Sequence, residues 1–247
     1  MAQRTVAVIP ARYASSRFPG KPLALIAGQS MIQRVYAQVA ACPAIDDVVV
    51  ATDDERILTA VKGFGGMAVM TRSDHATGTD RIAEAVAALE ADLILNVQGD
   101  EPLMPPAVLG DLVQHMRRTG VEMGTAAVPF RLTGRDPADP NAVKVVVDQR
   151  SFALYFSRSL IPHCRAGGVA VEPLLHWGLY AYRREFLTEF VSWPRGRLEM
   201  CEMLEQLRAL EQGARIYVLQ TEHVSVGVDV PGDVALVERL LREPRKA

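Results

Sequence analysis

The sequence predicts an α/β fold, a largely parallel central sheet flanked by helices with a β-rich elaboration after residue 124. Three observations carry the prediction. In the first half, short β-branched runs alternate with segments of helical periodicity, the pattern of βαβ units. After Gly124 the alternation gives way to extended segments separated by Pro and Gly turns. At 247 residues and 49% hydrophobic content, the chain is long enough to bury roughly 70–75% of its unfolded surface.

Residues 5–9 read as the first strand, followed by 47–51, 67–70 and 92–97. Between them Met31, Ile32, Val35, Tyr36 and Val39 recur at helical spacing, as do Ile57, Leu58, Val61 and Phe64, then Ile82, Val86 and Leu89. Residues 125–130, 142–147, 152–157 and 177–182 are the extended segments of the elaboration. A helix over 198–210, with Leu198, Cys201, Leu204 and Leu207 inside and its charges solvated, a strand over 215–219 and a helix over 233–241 close the fold. Residues 244–247 read as a frayed tail. The expectation is a single domain, 1–247, elaborated over about 125–185, with the elaboration expected to bind the sugar and to carry apolar residues that pair across a two-fold axis.

A net charge of −2 excludes a surface given over to nucleic acid or anionic lipid, so any anion site must be local. Cys42, Cys164 and Cys201 lack metal or disulfide spacing and read as reduced thiols. No apolar stretch reaches about 18 residues, so the expectation is a cytoplasmic protein without a membrane partner.

Chemistry concentrates after the first strand, where residues 10–22 gather Arg12, Arg17 and Lys21 with two serines and a glycine in one connection. Loops at this position turn backbone N–H groups toward the ligand crevice, arginine forks suit phosphate oxygens, and lysine adds a compact charge. A solvated basic loop is the alternative. Neither GxGxxG nor GxxxxGK[ST] is present, which weakens a dinucleotide-dependent oxidoreductase. The strand over 92–97 ends in Asn96-Val-Gln-Gly-Asp-Glu-Pro102, which puts Asp100 where a carboxylate can hold Mg²⁺ against triphosphate oxygens. Asp229, after Val224-Ser-Val-Gly-Val228, is the second candidate; a turn or helix cap is the alternative role for each. His176 and Tyr180 fall on one face of a strand by two-residue alternation. Residues 71–81 read as a polar loop with an N-cap at Thr79 or nearby.

Residues 8–23, Val-Ile-Pro-Ala-Arg-Tyr-Ala-Ser-Ser-Arg-Phe-Pro-Gly-Lys-Pro-Leu, resemble the signature of the sugar-acid cytidylyltransferases, and most of all the branch that uses 3-deoxy-manno-octulosonate (Kdo). Further matches run in order along nearly the whole chain: Gln98-Gly-Asp-Glu-Pro102, Pro140-Asn-Ala-Val-Lys144, Tyr155-Phe-Ser-Arg-Ser159, His176-Trp-Gly-Leu-Tyr-Ala-Tyr182, Glu202-Met-Leu-Glu-Gln-Leu-Arg208 and Gly227-Val-Asp-Val-Pro231. The resemblance implies a Rossmann-like nucleotidyltransferase fold, CTP and Kdo as substrates, CMP-Kdo for lipopolysaccharide synthesis, and a homodimer. It implies Arg12, Arg17, Lys21 and Asp100 as catalytic residues and Asp100 and Asp229 as Mg²⁺ ligands. Substrate contacts would come from Gln98, Arg158, His176, Tyr180, Glu205 and Gln206, and from Arg72, Ser73 and Thr79 along the cytidine. Ser225-Val226 departs from a Gly-Thr pair, Trp177 from an aliphatic residue, and the stretch 165–175 is short. The rival readings are a cytidylyltransferase for 8-amino-Kdo or a sialic acid, and a noncatalytic CTP-binding protein.

Overall fold

The structure is a computed structural model that describes residues 3–14 and 18–242. The expected tail at 244–247 lies outside the described residues. The chain divides into two compact units, residues 1–110 with 225–247, and residues 111–224. No helix among the described residues is long and apolar enough to cross a membrane. Cys42, Cys164 and Cys201 are all free.

The first unit contains β1 (Thr5–Ala11), the hairpin of β2 (Leu25–Ile26) and β3 (Gln29–Ser30), α1 (Met31–Ala40), β4 (Asp47–Thr52), α2 (Glu55–Gly63), β5 (Met67–Met70), α3 (Gly78–Ala87) and β6 (Leu93–Asn96). The division falls inside α4 (Pro106–Thr119), and a helix at Asp233–Arg242 completes the unit from the far end of the chain. The strands run β6-β1-β4-β5, every neighbouring pair parallel. β1 and β6 are buried almost throughout, as expected of strands covered on both faces. Met31, Ile32, Val35 and Val39 of α1, Ile57 and Val61 of α2, and Ile82 and Val86 of α3 supply the cover. The sequence missed the β2–β3 hairpin, whose two-residue turn puts both Ala27 and Gly28 at positive φ, 46° and 81°. It also assigned no element to 106–119, because Pro105, Pro106 and Gly110 look like breakers. Pro106 is the first helical residue, where its missing N–H costs nothing, and Gly110 lies within the helix, where a Cβ would make only ordinary contact with Cys42 Sγ at 3.6 Å.

The second unit holds β7 (Met123–Pro129), β8 (Lys144–Val147), β9 (Ala153–Ser157), β10 (Leu174–Arg183), α5 (Arg184–Ser192), α6 (Arg197–Glu202), α7 (Leu207–Glu211) and β11 (Ile216–Gln220). β7 pairs antiparallel with β10 and parallel with β11, while β8 joins β10 to β9 with antiparallel pairing. β10 carries two extra residues between Trp177, opposite Ala126, and Tyr180, opposite Thr125. An insertion of two preserves face parity, so His176 and Tyr180 stay on one side.

The single helix expected over 198–210 is two helices. Met203 sits in the left-handed region, φ 52° and ψ 48°, and ends α6 four residues before α7 begins. Leu204 and Leu207 are buried as expected, but Leu198 and Cys201 face solvent. The charges are not all solvated either, for Arg208 forks onto the buried Glu199 carboxylate at 2.6 and 2.8 Å.

Candidate active site

β1 runs two residues further than the sequence suggested, so Pro10 and Ala11 are strand and the connection starts at Arg12. The loop stem is held in place by Tyr13. Its carbonyl accepts from the Gly20 N–H at 2.9 Å, and its ring lies 3.3 Å beneath the Arg56 guanidinium, itself forked onto Asp54. Gly20 has φ 72°, and a Cβ there would stand 3.1 Å from the Tyr13 ring, two reasons for glycine. Arg17 lies outside the described residues. Beyond the stem, Lys21–Leu23 form a short 3-10 turn that sends the Lys21 side chain inward.

Parallel pairing of Val8 with Asn96 brings the Gln98–Asp100 turn beside the end of β1. Between them lies a cavity of about 220 Å³ lined by Arg12, Lys21, Gly78, Gln98, Gly99 and Asp100 with neighbouring apolar residues. Lys21 Nζ donates to Asp100 Oδ2 at 2.7 Å and to the Val228 carbonyl at 3.0 Å, and stands 3.9 Å from Asp229 Oδ1. Two carboxylates distant in sequence therefore converge on one cation. The C-terminal segment is fastened to the same turn. Val228 N donates to Asp100 O at 2.9 Å, Ser225 Oγ donates to Glu101, and a Cβ on Gly227 would meet Glu101 Oε1 at 3.2 Å. Ser225 thus anchors the segment that carries Asp229. The Asp233 carboxylate accepts from the N–H groups of Asp229 and Val230 at 2.8 and 3.0 Å, which fixes the turn that carries Asp229.

Arg12 Nη2 donates to the carbonyls of His75 and Thr77, tying the loop to segment 71–79. The cap of α3 is Thr77 rather than Thr79, in a reciprocal capping box with Asp80. Thr79 is buried in the first turn, while Arg72 and Ser73 are exposed and Arg72 forks onto Asp74 at 2.9 Å. None of Arg72, Ser73 and Thr79 lines the cavity. His75, which no sequence motif singled out, makes a short hydrogen bond with Glu84, and that bond holds the Glu84 carboxyl below its ordinary pKa. Gln98 donates its side-chain amide to Asn96 Oδ1 at 3.1 Å.

As a donor set for Mg²⁺, Asp100 and Asp229 offer the hard oxygens that ion prefers, already drawn to one positive charge. Among the described residues no group of three or more His, Cys, Asp or Glu could hold an ion alone. The pair fits an ion whose shell is completed by phosphate oxygens.

The second unit gathers the other residues singled out from the sequence. The Thr125 hydroxyl lies 2.7 Å from the Leu179 carbonyl and 2.9 Å from His176 Nε2. A hydroxyl has one proton to donate, and the carbonyl can only accept it, so Nε2 carries the imidazole proton and Nδ1 is an acceptor. The ring keeps some exposed surface, yet Phe156 and Tyr180 enclose it, at 4.9 and 5.4 Å between centroids. Burial pushes its pKa down to about 3, so it is neutral at physiological pH. The Tyr180 hydroxyl is raised well above its ordinary pKa by burial and then by Glu205. Glu205 and Gln206 occupy the break between α6 and α7, and Gln206 Nε2 is buried without a hydrogen-bond partner. Arg158 is engaged with carbonyls, donating to Glu202 O, Pro140 O and Met203 O at 2.7, 3.0 and 3.4 Å.

Residues 6–216 match the family described as Cytidylyltransferase. A 3-deoxy-manno-octulosonate cytidylyltransferase of Syntrophotalea carbinolica is 55% identical over 96% of this chain and 98% of its own length. One of Geobacter sulfurreducens is 50% identical, again over 96% and 98%. A solved structure of CMP:2-keto-3-deoxy-manno-octonic acid synthetase complexed with CTP superposes with a TM-score of 0.91 at 43% identity, covering 96% of this chain and 98% of that one.

Proposed function

The chain belongs to the cytidylyltransferase family, among the 3-deoxy-manno-octulosonate cytidylyltransferases, and from that membership we propose that it transfers the cytidylyl group of CTP to the anomeric hydroxyl of Kdo. The products are CMP-Kdo, for lipopolysaccharide synthesis, and pyrophosphate. The observation that carries this reading is the meeting of Lys21, Asp100 and Asp229 beside a cavity at the carboxyl ends of parallel strands, where ligands of such sheets bind.

The anomeric oxygen forms a bond to the α-phosphorus as the bond to the bridging α–β oxygen breaks. Catalysis of this transfer is mostly positioning and neutralisation of charge. Arg12, Arg17 and Lys21 supply positive charge toward the leaving pyrophosphate. Asp100 and Asp229 would hold Mg²⁺, which when bound neutralises phosphate charge and lowers the pKa of the attacking hydroxyl. Neutral His176 offers Nδ1 as an acceptor to a sugar hydroxyl, and Gln206 offers a buried donor. Arg158, Tyr180 and Glu205 are the further candidates for the sugar acid. Gln98 remains a candidate substrate contact, and Arg72, Ser73 and Thr79 remain the candidates for the nucleoside. The reading includes a cytoplasmic homodimer.

Pyrophosphate release from CTP with Kdo is the test, against ATP, GTP and UTP and against sialic acid and 8-amino-Kdo. Asp100→Asn and Lys21→Ala should each lower turnover about 10²- to 10³-fold, the cost of removing one charge-assisted contact to the transition state. Near-wild-type turnover in either would sink the assignment, and CTP binding without pyrophosphate release would favour a noncatalytic role.

A further inference from the structure

Lys144, the first residue of β8, is 0% exposed, and burying an ammonium is costly unless its donors are well used. Its Nζ donates to the carbonyls of Asp139 and Arg158. Among the described residues no carboxylate forms an ion pair with it, and burial lowers its pKa more than Asp139 raises it. This cation directs its hydrogen bonds to main-chain oxygens. It fixes two stretches of main chain.

Those stretches lead to the break between α6 and α7. Lys144 holds the backbone of residue 158, and the Arg158 guanidinium reaches from there to the carbonyls of Pro140, Glu202 and Met203. Ser157 Oγ and Arg158 N close the other side by donating to the Glu202 carboxylate at 2.6 and 2.9 Å. Met203 is thereby held in a left-handed conformation that a β-carbon disfavours. Three residues later comes Gln206, 3% exposed, with Nε2 lacking a hydrogen-bond partner. A buried donor with no partner among the described residues is one that a ligand can satisfy.

We infer that Lys144 is a positioning residue for the acid-sugar end of the site, acting through Arg158 and the Met203 break to set the Glu205–Gln206 pair against the sugar. The inference rests on the cytidylyltransferase reading for its substrate. Its geometry does not depend on that reading.

The variant to make is Lys144→Met, which keeps the length of the side chain and removes the donors. Lys144→Gln, which can still donate to one carbonyl, takes its place should the first fail to fold. KM for Kdo should rise about tenfold, the worth of a lost buried hydrogen bond, with KM for CTP and kcat within about twofold. Adding Gln206→Ala to Lys144→Met should cost less than Gln206→Ala costs alone, because the two lie on one path. Backbone amide exchange over 203–207 should quicken about tenfold while α5 is unchanged. Unchanged KM for Kdo in a folded variant overturns the inference, as does a parallel loss for both substrates or unaltered exchange over 203–207. If the wild-type protein releases no pyrophosphate from CTP and Kdo, the functional reading falls, while the exchange measurement still decides whether Lys144 governs the break.

Discussion

His176 shows how one hydroxyl fixes the chemistry of a ring. Because Thr125 spends its proton on the Leu179 carbonyl, the imidazole must present Nε2–H to Thr125, and the neutral tautomer is locked in. Protonation of the folded state is opposed by burial, with the pKa down to about 3 against about 6.5 in an unfolded chain. The folded pKa is depressed, so the contribution to stability is complete above pH ~6.5 and is lost progressively as pH falls toward the folded value. Tm of the wild type should therefore fall more steeply between about pH 6.5 and 4.5 than Tm of His176→Gln, which keeps a donor toward Thr125 and does not titrate. Parallel curves for the two proteins would show that the ring is not held neutral by burial. Lys21 and Asp100 were legible as candidates because each follows a readable strand, whereas Lys144 was not. Burial of a charge depends on partners brought in from elsewhere in the chain, and Lys144 meets the Arg158 carbonyl only once β8 pairs with β9.

Among the elements, those whose partners are local were the most readable. β1, β4 and β6 follow from β-branched runs, and α1 to α3 from their periodicity, because each buries a face the sequence marks, whereas β5 is held by pairing with β4 and has no buried residue. The α6–α7 helix was misread for the opposite reason. Its residues favour continuity, but Arg158 pulls the carbonyls of Glu202 and Met203 out of the helical ladder, and that pull is tertiary. The cap of α3 was misplaced by two residues, within the usual blur of a helix end. Thr77→Ala removes the hydroxyl half of its capping box and should destabilise the protein by about 1 kcal/mol, read from urea unfolding. It should leave the Arg12 contact intact, since that contact is to the main-chain oxygen of Thr77. A loss below a few tenths of a kcal/mol would mean that α3 is held by packing alone.

At the scale of the whole molecule, the proposed homodimer should sediment at twice the 27.0 kDa chain mass. The β-rich elaboration, expected to pair across the two-fold axis, exposes Leu154 and Leu160 at 63% and 50%. Leu154→Glu with Leu160→Glu should shift the protein toward monomer; an unchanged dimer would place the interface elsewhere. The first unit is also discontinuous: residues 1–110 supply Lys21 and Asp100, and residues 225–247 supply Asp229, anchored through Ser225 to Glu101. A ribosome delivers these parts in order. Lys21 and Asp100 emerge first, then the whole of 111–224, and only afterwards the segment that brings the second carboxylate. On the proposed reading, a nascent chain that has not yet reached residue 229 holds Lys21 and Asp100 with half of its metal-binding pair still to come.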